Sequence, residues 1–295
     1  MSRGMLAVVG AHLIWGFAPL YWVRVEEVSA INLVAHRAVW SLLLLLIALA
    51  ALGKLGATLN QLRQPRVLAT VVTSATAQAC NWCLFVWAVT NDHATEASLG
   101  YFLLPLVNVA IGVLVLRERI DRAQVIAIVL AAAGVLLMLL ESGGLPWVAL
   151  GVSVSFATYG LVRKLVTIGA LEGLAMETLL MAPAALLWLY WHDGGGFAQH
   201  GLFVDALLVG GGVVTIVPLL LYVAASHRLA LTAMGLAFYI GPSIQFLVAV
   251  FVFEEPIRLL QLVSFTLVWL GLACIVADTL KRYRNLRSVA STTDH

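Results

Sequence analysis

Asn81, Asn108 and Gln245 are amides set within long apolar runs, each spaced at helical period from aromatic or proline residues. Tyr101, Pro105, Asn108 and Gly112 follow one another at steps of four, three and four, which brings them onto one face of a helix. Phe238, Pro242, Gln245 and Ala249 repeat that stripe. Further stripes run through His12, Trp15, Pro19 and Trp22, through Gln78, Asn81 and Phe85, through Ser155 and Tyr159, and through Thr215, Pro218 and Tyr222. Such a set suits reversible binding of a small molecule: rings contact its apolar body while amides orient its polar groups. Trp15, Asn81, Tyr101, Asn108, Tyr159, Tyr222, Tyr239 and Gln245 are the expected substrate-binding residues. The same side chains could equally hydrogen-bond between helices as packing contacts, and that reading stands beside the first.

Arg37, Glu177 and His12 are titratable groups inside apolar runs, where an ion costs about 2.5–3.5 kcal/mol at a helix centre and tends to mark function. Three readings of Arg37 and Glu177 remain open. They form a mutual ion pair, or Glu177 takes up protons to couple movement to a gradient, or each snorkels to a nearby interface. Pro105, Pro218 and Pro242 each remove a backbone hydrogen bond, so they act as hinges or are tolerated bends.

Chemistry beyond binding is not predicted. The seven histidines are scattered, and HExxH, Walker A and G-x-S-x-G patterns are all absent, so neither an enzyme nor an ATP-driven pump is expected. Cys80 and Cys83 have C-x-x-C spacing but no second pair, and packing is their expected role; no metal and no cofactor are expected. With a net charge of +2 and no basic run interleaved with aromatics, nucleic acid is excluded as a partner.

The elements that must position these residues are membrane spans. Of 295 residues, 62% are hydrophobic and 11% charged, against roughly 45–50% and about 25% in soluble domains. Mean hydropathy is +1.00, sustained along the chain, so lipid is the main solvent. Apolar runs long enough to cross a bilayer fall near 4–22, 31–52, 67–90, 96–116, 122–141, 146–163, 172–191, 204–226, 231–253 and 257–279. The first run begins after Arg3 like a signal peptide, but no small-residue cleavage site follows, and it is read as a span. An even count puts both termini on one side. That side collects 14 of the 17 basic residues, from Arg3 to Arg287, while the opposite loops hold only Arg24 and Arg258. Basic residues are held back in the cytoplasm, so both termini are expected there.

Displacing the sequence by 137 aligns Leu99, Pro105, Val113, Val115, Glu118, Ile120 and Gly134 with Leu236, Pro242, Val250, Val252, Glu255, Ile257 and Gly271. Tyr101, Phe102 and Asn108 fall on Phe238, Tyr239 and Gln245 in the same register. The unit is five helices, and an odd unit returns with opposite orientation. The expected fold class is therefore an all-α integral membrane protein of ten transmembrane helices in two inverted five-helix repeats, 1–143 and 144–284, with a disordered tail over 285–295. Inverted repeats are a recurrent plan of secondary transporters, because related halves can open on alternate sides. Glu118 and Glu255, which close spans 4 and 9, are expected to cap a turn.

The segments IWGFAPLYW, AHRAVWS, NWCLFVWAV, EASLGYFLLPLVNVAIGVLVLRERI, GLVRK and YIGP closely resemble the EamA family of the drug/metabolite transporter superfamily, over nearly the whole chain up to about residue 285. The resemblance implies ten helices in two inverted halves, with spans 1, 3, 4, 6, 8 and 9 around a central path. It also implies a bacterial inner-membrane protein that effluxes or exchanges small metabolites or drugs, chloramphenicol-type compounds among them. The implied partners are a small-molecule substrate and the lipid bilayer. A homodimer is left open, since Ala123, Ala127 and Ala131 on span 5 would allow close helix packing. The rival reading is a receptor or scaffold that binds a ligand between helices without moving it.

Overall fold

The computed structural model describes residues 2–91, 93–141, 146–256 and 258–293. Its helices are α1 (Arg3–Trp22), α2 (Ala30–Ala51), a short α3 (Leu55–Gln61), α4 (Pro65–Thr90), α5 (Ala94–Leu114) and α6 (Arg122–Glu141). The second half holds α7 (Trp147–Leu165), α8 (Ala170–Trp191), α9 (Leu202–Ser226), α10 (Leu231–Phe238), α11 (Ile240–Phe251) and α12 (Leu259–Thr293). There is no strand among the described residues. Ten helical segments are long and apolar enough to span a membrane, α10 and α11 together forming one. Local signals set where several begin: the Ser2 and Ser29 hydroxyls accept the backbone N–H groups of Met5 and Asn32, and Pro65 opens α4 where its missing N–H is harmless. Leu6, Leu43, Ile47, Leu136 and Leu140 are all exposed, a surface that only lipid would cover without cost.

The helices pack as two related halves require. Equivalent helices face each other in the pairs α2 with α8, α5 with α10, and α6 with α12. The contacts of α1 with α9 and α11 mirror those of α7 with α4 and α5. The register is copied as well. A Cβ on Gly134 would lie 2.8 Å from the Ser264 carbonyl oxygen, and one on Gly271 would lie 3.0 Å from Ala127 Cα. Gly134 and Gly271, like Ala127 and Ser264, are 137 apart, so these close approaches are copies of one another. Tyr101 stacks on Phe238 with ring centroids 6.4 Å apart, and the Tyr239 hydroxyl donates to the Phe102 carbonyl at 3.2 Å. Each of these residues meets its own equivalent. The turns after α5 and α11 also match, with Arg117 at φ 55° and Glu254 at φ 54°. All of this is consistent with the expected inverted repeat.

Four details depart from the sequence expectation or fall outside it. Span 9 is not one helix: it breaks at Tyr239, three residues before Pro242, whose ring nitrogen cannot donate to the Phe238 carbonyl. Backbone helix continues to Thr293, so the tail placed at 285–295 is helical through most of its length. Ala127 and Ala131 are buried against α12 and its neighbours, so that small-residue face is occupied within the chain. The expected boundary at 143/144 and the repeat position Ile257 lie outside the described residues.

Candidate functional site

α1 begins on the same side of the bundle as α4, α6, α8 and α10, here called the near side; α2, α5, α7 and α9 begin on the far side. A cavity of about 520 Å³ lies among α1, α2, α4, α5, α9 and α11. It reaches the far-side ends of α1, α2 and α4 at Trp22, Ala30 and Val89. Its floor is aromatic: His12 lies 4.6 Å from the Phe238 ring and 5.3 Å from that of Trp15, which meets Phe156 at 6.0 Å.

Among the expected binding residues, Trp15, Asn81, Tyr101 and Gln245 line this cavity. Packing fixes each of them. Gln245 donates to the Trp15 carbonyl at 3.0 Å, which ties α11 to α1. Asn81 Nδ2 donates to the Val152 carbonyl at 2.9 Å, and its Oδ1 accepts the Tyr101 hydroxyl at 3.4 Å. Tyr222, Asn108, Tyr159 and Tyr239 do not line the cavity. The Tyr222 ring backs the floor, 5.9 Å from Trp15, and Asn108 is fully buried. Tyr239 is held between the halves, and Tyr159 is directed to Glu177. Period alone placed all eight on inward faces, but an inward face meets a neighbouring helix as often as open space.

His12 and Arg37 line the cavity and Glu177 does not. Arg37 Nε donates to Thr215 Oγ1 at 2.9 Å, and its guanidinium carbon lies 5.1 Å from the Trp22 ring and 5.2 Å from that of Trp82. Glu177 instead sits 3.5 Å from Arg163 and accepts hydrogen bonds from Ser74 at 2.6 Å and Tyr159 at 3.4 Å. The mutual pair of Arg37 with Glu177 is thus not formed. Neither does Glu177 snorkel, since it and Arg163 are both sealed from solvent. Gly173 makes room for this pair, because any Cβ there would overlap the Arg163 guanidinium.

The near side carries a set of polar contacts, of which those of Glu118 join the two halves. Glu118, midway along the link between α5 and α6, accepts the backbone N–H groups of Leu231 at 2.7 Å and Thr232 at 2.9 Å, along with the Thr232 hydroxyl. It therefore caps the first turn of α10, where orphan N–H groups and the helix dipole favour an anion. Lys164 donates to the Ser226 and Leu229 carbonyls and lies 3.9 Å from Glu118. His227 reaches the Arg163 carbonyl at 2.7 Å. Glu255, the repeat equivalent of Glu118, is exposed on the far side.

Pro105 and Pro218 sit within unbroken helices, and only Pro242 adjoins an interruption. Arg163, Ser74 and Trp82 were missed as functional candidates. Arg163 falls four residues after Tyr159 and so shares its helix face, and that spacing is the signal for it in the sequence. Cys80 and Cys83 are exposed on α4 rather than packed inside.

The chain was compared with known proteins. Residues 2–140 match the EamA-like transporter family. A protein named RarD from Streptomyces exfoliatus is 40% identical over 288 residues, covering 97% of this chain and 91% of its own length. A Pseudomonas aeruginosa relative named chloramphenicol-sensitive protein RarD is 31% identical, covering 96% of each chain. One crystal structure superposes with a TM-score of 0.73 at 19% identity over 92% of this chain and 97% of that one, a likeness of fold.

Proposed function

This chain belongs to the EamA-like transporter family, and we propose that it is a secondary transporter that carries a small amphipathic solute by alternating access. One observation carries the reading: the binding cavity lies between two related halves, reaches the far side, and is closed on the near side by contacts between them. A volume of about 520 Å³ with rings and a few polar groups fits a small organic molecule. The repeat supplies the opposite state. When the near side opens, the Glu118 cap on α10 is released, and Glu255 takes up the equivalent place at the start of α5. The break at Tyr239 lets the two parts of span 9 move separately.

By the distribution of basic residues, the near side is cytoplasmic and the far side is outside; the bacterial relatives make the membrane the bacterial inner membrane. Movement is efflux or exchange. The printed name of one relative brings phenicol drugs into the set of solutes to test. No catalytic step is part of this reading, and neither is a homodimer that uses the face of α6 already packed on α12.

The test is solvent accessibility from both sides. In a cysteine-free background, Val89→Cys should react with an impermeant maleimide from the far side and Met234→Cys should be protected. A solute that is carried should reverse the two rates on turnover. A receptor that only binds would leave Met234→Cys protected throughout.

A further inference from the structure

We infer that the solute is an organic anion, and that Arg37 recognises its carboxylate or an equivalent acidic group. This deepens the transporter reading and rests on it.

Arg37 is the only Asp, Glu, Lys or Arg among the described residues lining the cavity. Counting seven residues from Ala30 at about 1.5 Å each, it stands about 10 Å along α2 from the far-side end. Among the described residues it forms no ion pair with any carboxylate. Its Nε is held by Thr215, whose own hydroxyl donates to the Gly211 carbonyl at 2.7 Å, so the guanidinium is anchored from one edge. The Trp22 and Trp82 rings hold it through cation–π contact. No protein acceptor is bonded to either Nη among the described residues, and Arg37 is only part-buried and lines the cavity. A planar guanidinium whose two Nη groups share an edge with no protein acceptor is the natural receptor for a bidentate oxyanion.

The other half of the repeat sharpens the point. Arg37 and Glu177 are each the eighth residue of their helix, α2 from Ala30 and α8 from Ala170. On the near side Glu177 is matched within the protein by Arg163. On the far side Arg37 has only rings and a hydroxyl, so its counter-charge must come from what enters the cavity. A cationic solute would meet this charge uncompensated in surroundings poor in water.

The depth of the site limits the rest of the molecule. Thr215, which holds Arg37, and Tyr222, whose ring lies 6.4 Å from His12, are seven residues apart on α9, about 10 Å along its axis. The rings of Trp15, Phe85, Tyr101 and Phe238 line the same cavity. At the deep end Gln78 Oε1 and both ring nitrogens of His12 are sealed from solvent and have no hydrogen-bond partner. The solute that fits is a monoanion with an aromatic or apolar body about 10 Å long.

The test uses three probes of one shape: 4-phenylbutyrate, 4-phenylbutanamide and 4-phenylbutylamine. Binding to the purified full chain is read by quenching of tryptophan fluorescence, since Trp15, Trp22 and Trp82 line the site. The carboxylate should bind about tenfold or more tighter than the amide, the span of one charge-assisted hydrogen-bonded pair, and the amine weakest. Arg37→Gln should erase the carboxylate's advantage over the amide, while Arg37→Lys should keep its sign at lower affinity. Thr215→Val, which leaves the charge and removes its anchor, should shrink the advantage and serves if the Arg37 variants do not fold. Equal or tighter binding of the amide or amine, an advantage that survives Arg37→Gln, or binding of none of the three would overturn the inference. A carboxylate preference in a protein that moves no probe across a bilayer would leave this inference standing and overturn the transporter reading instead.

Discussion

Arg163 and Glu177 show what a buried ion pair commits a protein to. Each is excluded from water, and the Arg163 guanidinium rests its remaining contact on the Gly169 carbonyl at 3.2 Å. Removing one partner strands the other, at a cost of about 3–5 kcal/mol. Glu177→Ala should therefore lower the thermal unfolding midpoint in detergent markedly, whereas the double change Arg163→Met with Glu177→Leu should recover most of the loss. Gly173→Ala should mimic the single loss, because its methyl would occupy the guanidinium's place. If Glu177 couples transport to a proton gradient, Glu177→Gln should bind solute and fail to accumulate it. Unchanged gradient-driven uptake would eliminate that role. The sequence exposed Glu177 and Arg37 as intramembrane ions because charge within an apolar run is conspicuous. It hid Arg163 because an arginine at a helix end is usually solvated, and burial there depends on the neighbouring helix.

α10 and α5 are repeat equivalents that start on opposite sides, and the start of α10 is capped by a glutamate from the other half. A side-chain N-cap contributes about 0.5–2 kcal/mol. That is enough to bias two states separated by a few kcal/mol. Glu118→Ala should raise the maleimide labelling of Met234→Cys from the near side severalfold, while Glu255→Ala, which removes the equivalent cap from the near-open state, should lower it. Pro242→Ala should restore the missing backbone donor and join α10 to α11, slowing flux with little effect on solute binding. Pro218→Ala, in a helix that is already continuous, should slow it less. The repeat was legible because Pro, Glu and Gly recur at one offset, and the paired glycines and the two turns carry that offset into the structure. The break at Tyr239 was not legible, since Pro105 holds the same repeat position in an unbroken helix. Identical local chemistry adopts two geometries when the halves occupy different conformations.

Across the whole molecule, ten spans could be read directly because a bilayer leaves an apolar run few alternatives to helix. The arrangement of side chains around the cavity was read only in part. Trp15, Asn81, Tyr101 and Gln245 reached it, while Asn108, Tyr159, Tyr222 and Tyr239 went into contacts between helices or behind the floor. Periodicity identifies the face a residue occupies and not whether a neighbour covers it. The side on which the cavity opens is a property of one state, which a sequence shared by both states does not encode. The decisive measurement is solute flux in proteoliposomes loaded with aryl carboxylates, amino acids, nucleosides, phenicol drugs or cationic dyes, each with and without a pH gradient. Alternating access predicts saturable, protein-dependent movement of at least one solute that also binds in the cavity. Saturable binding with no movement of any bound solute, under any gradient, would contradict it.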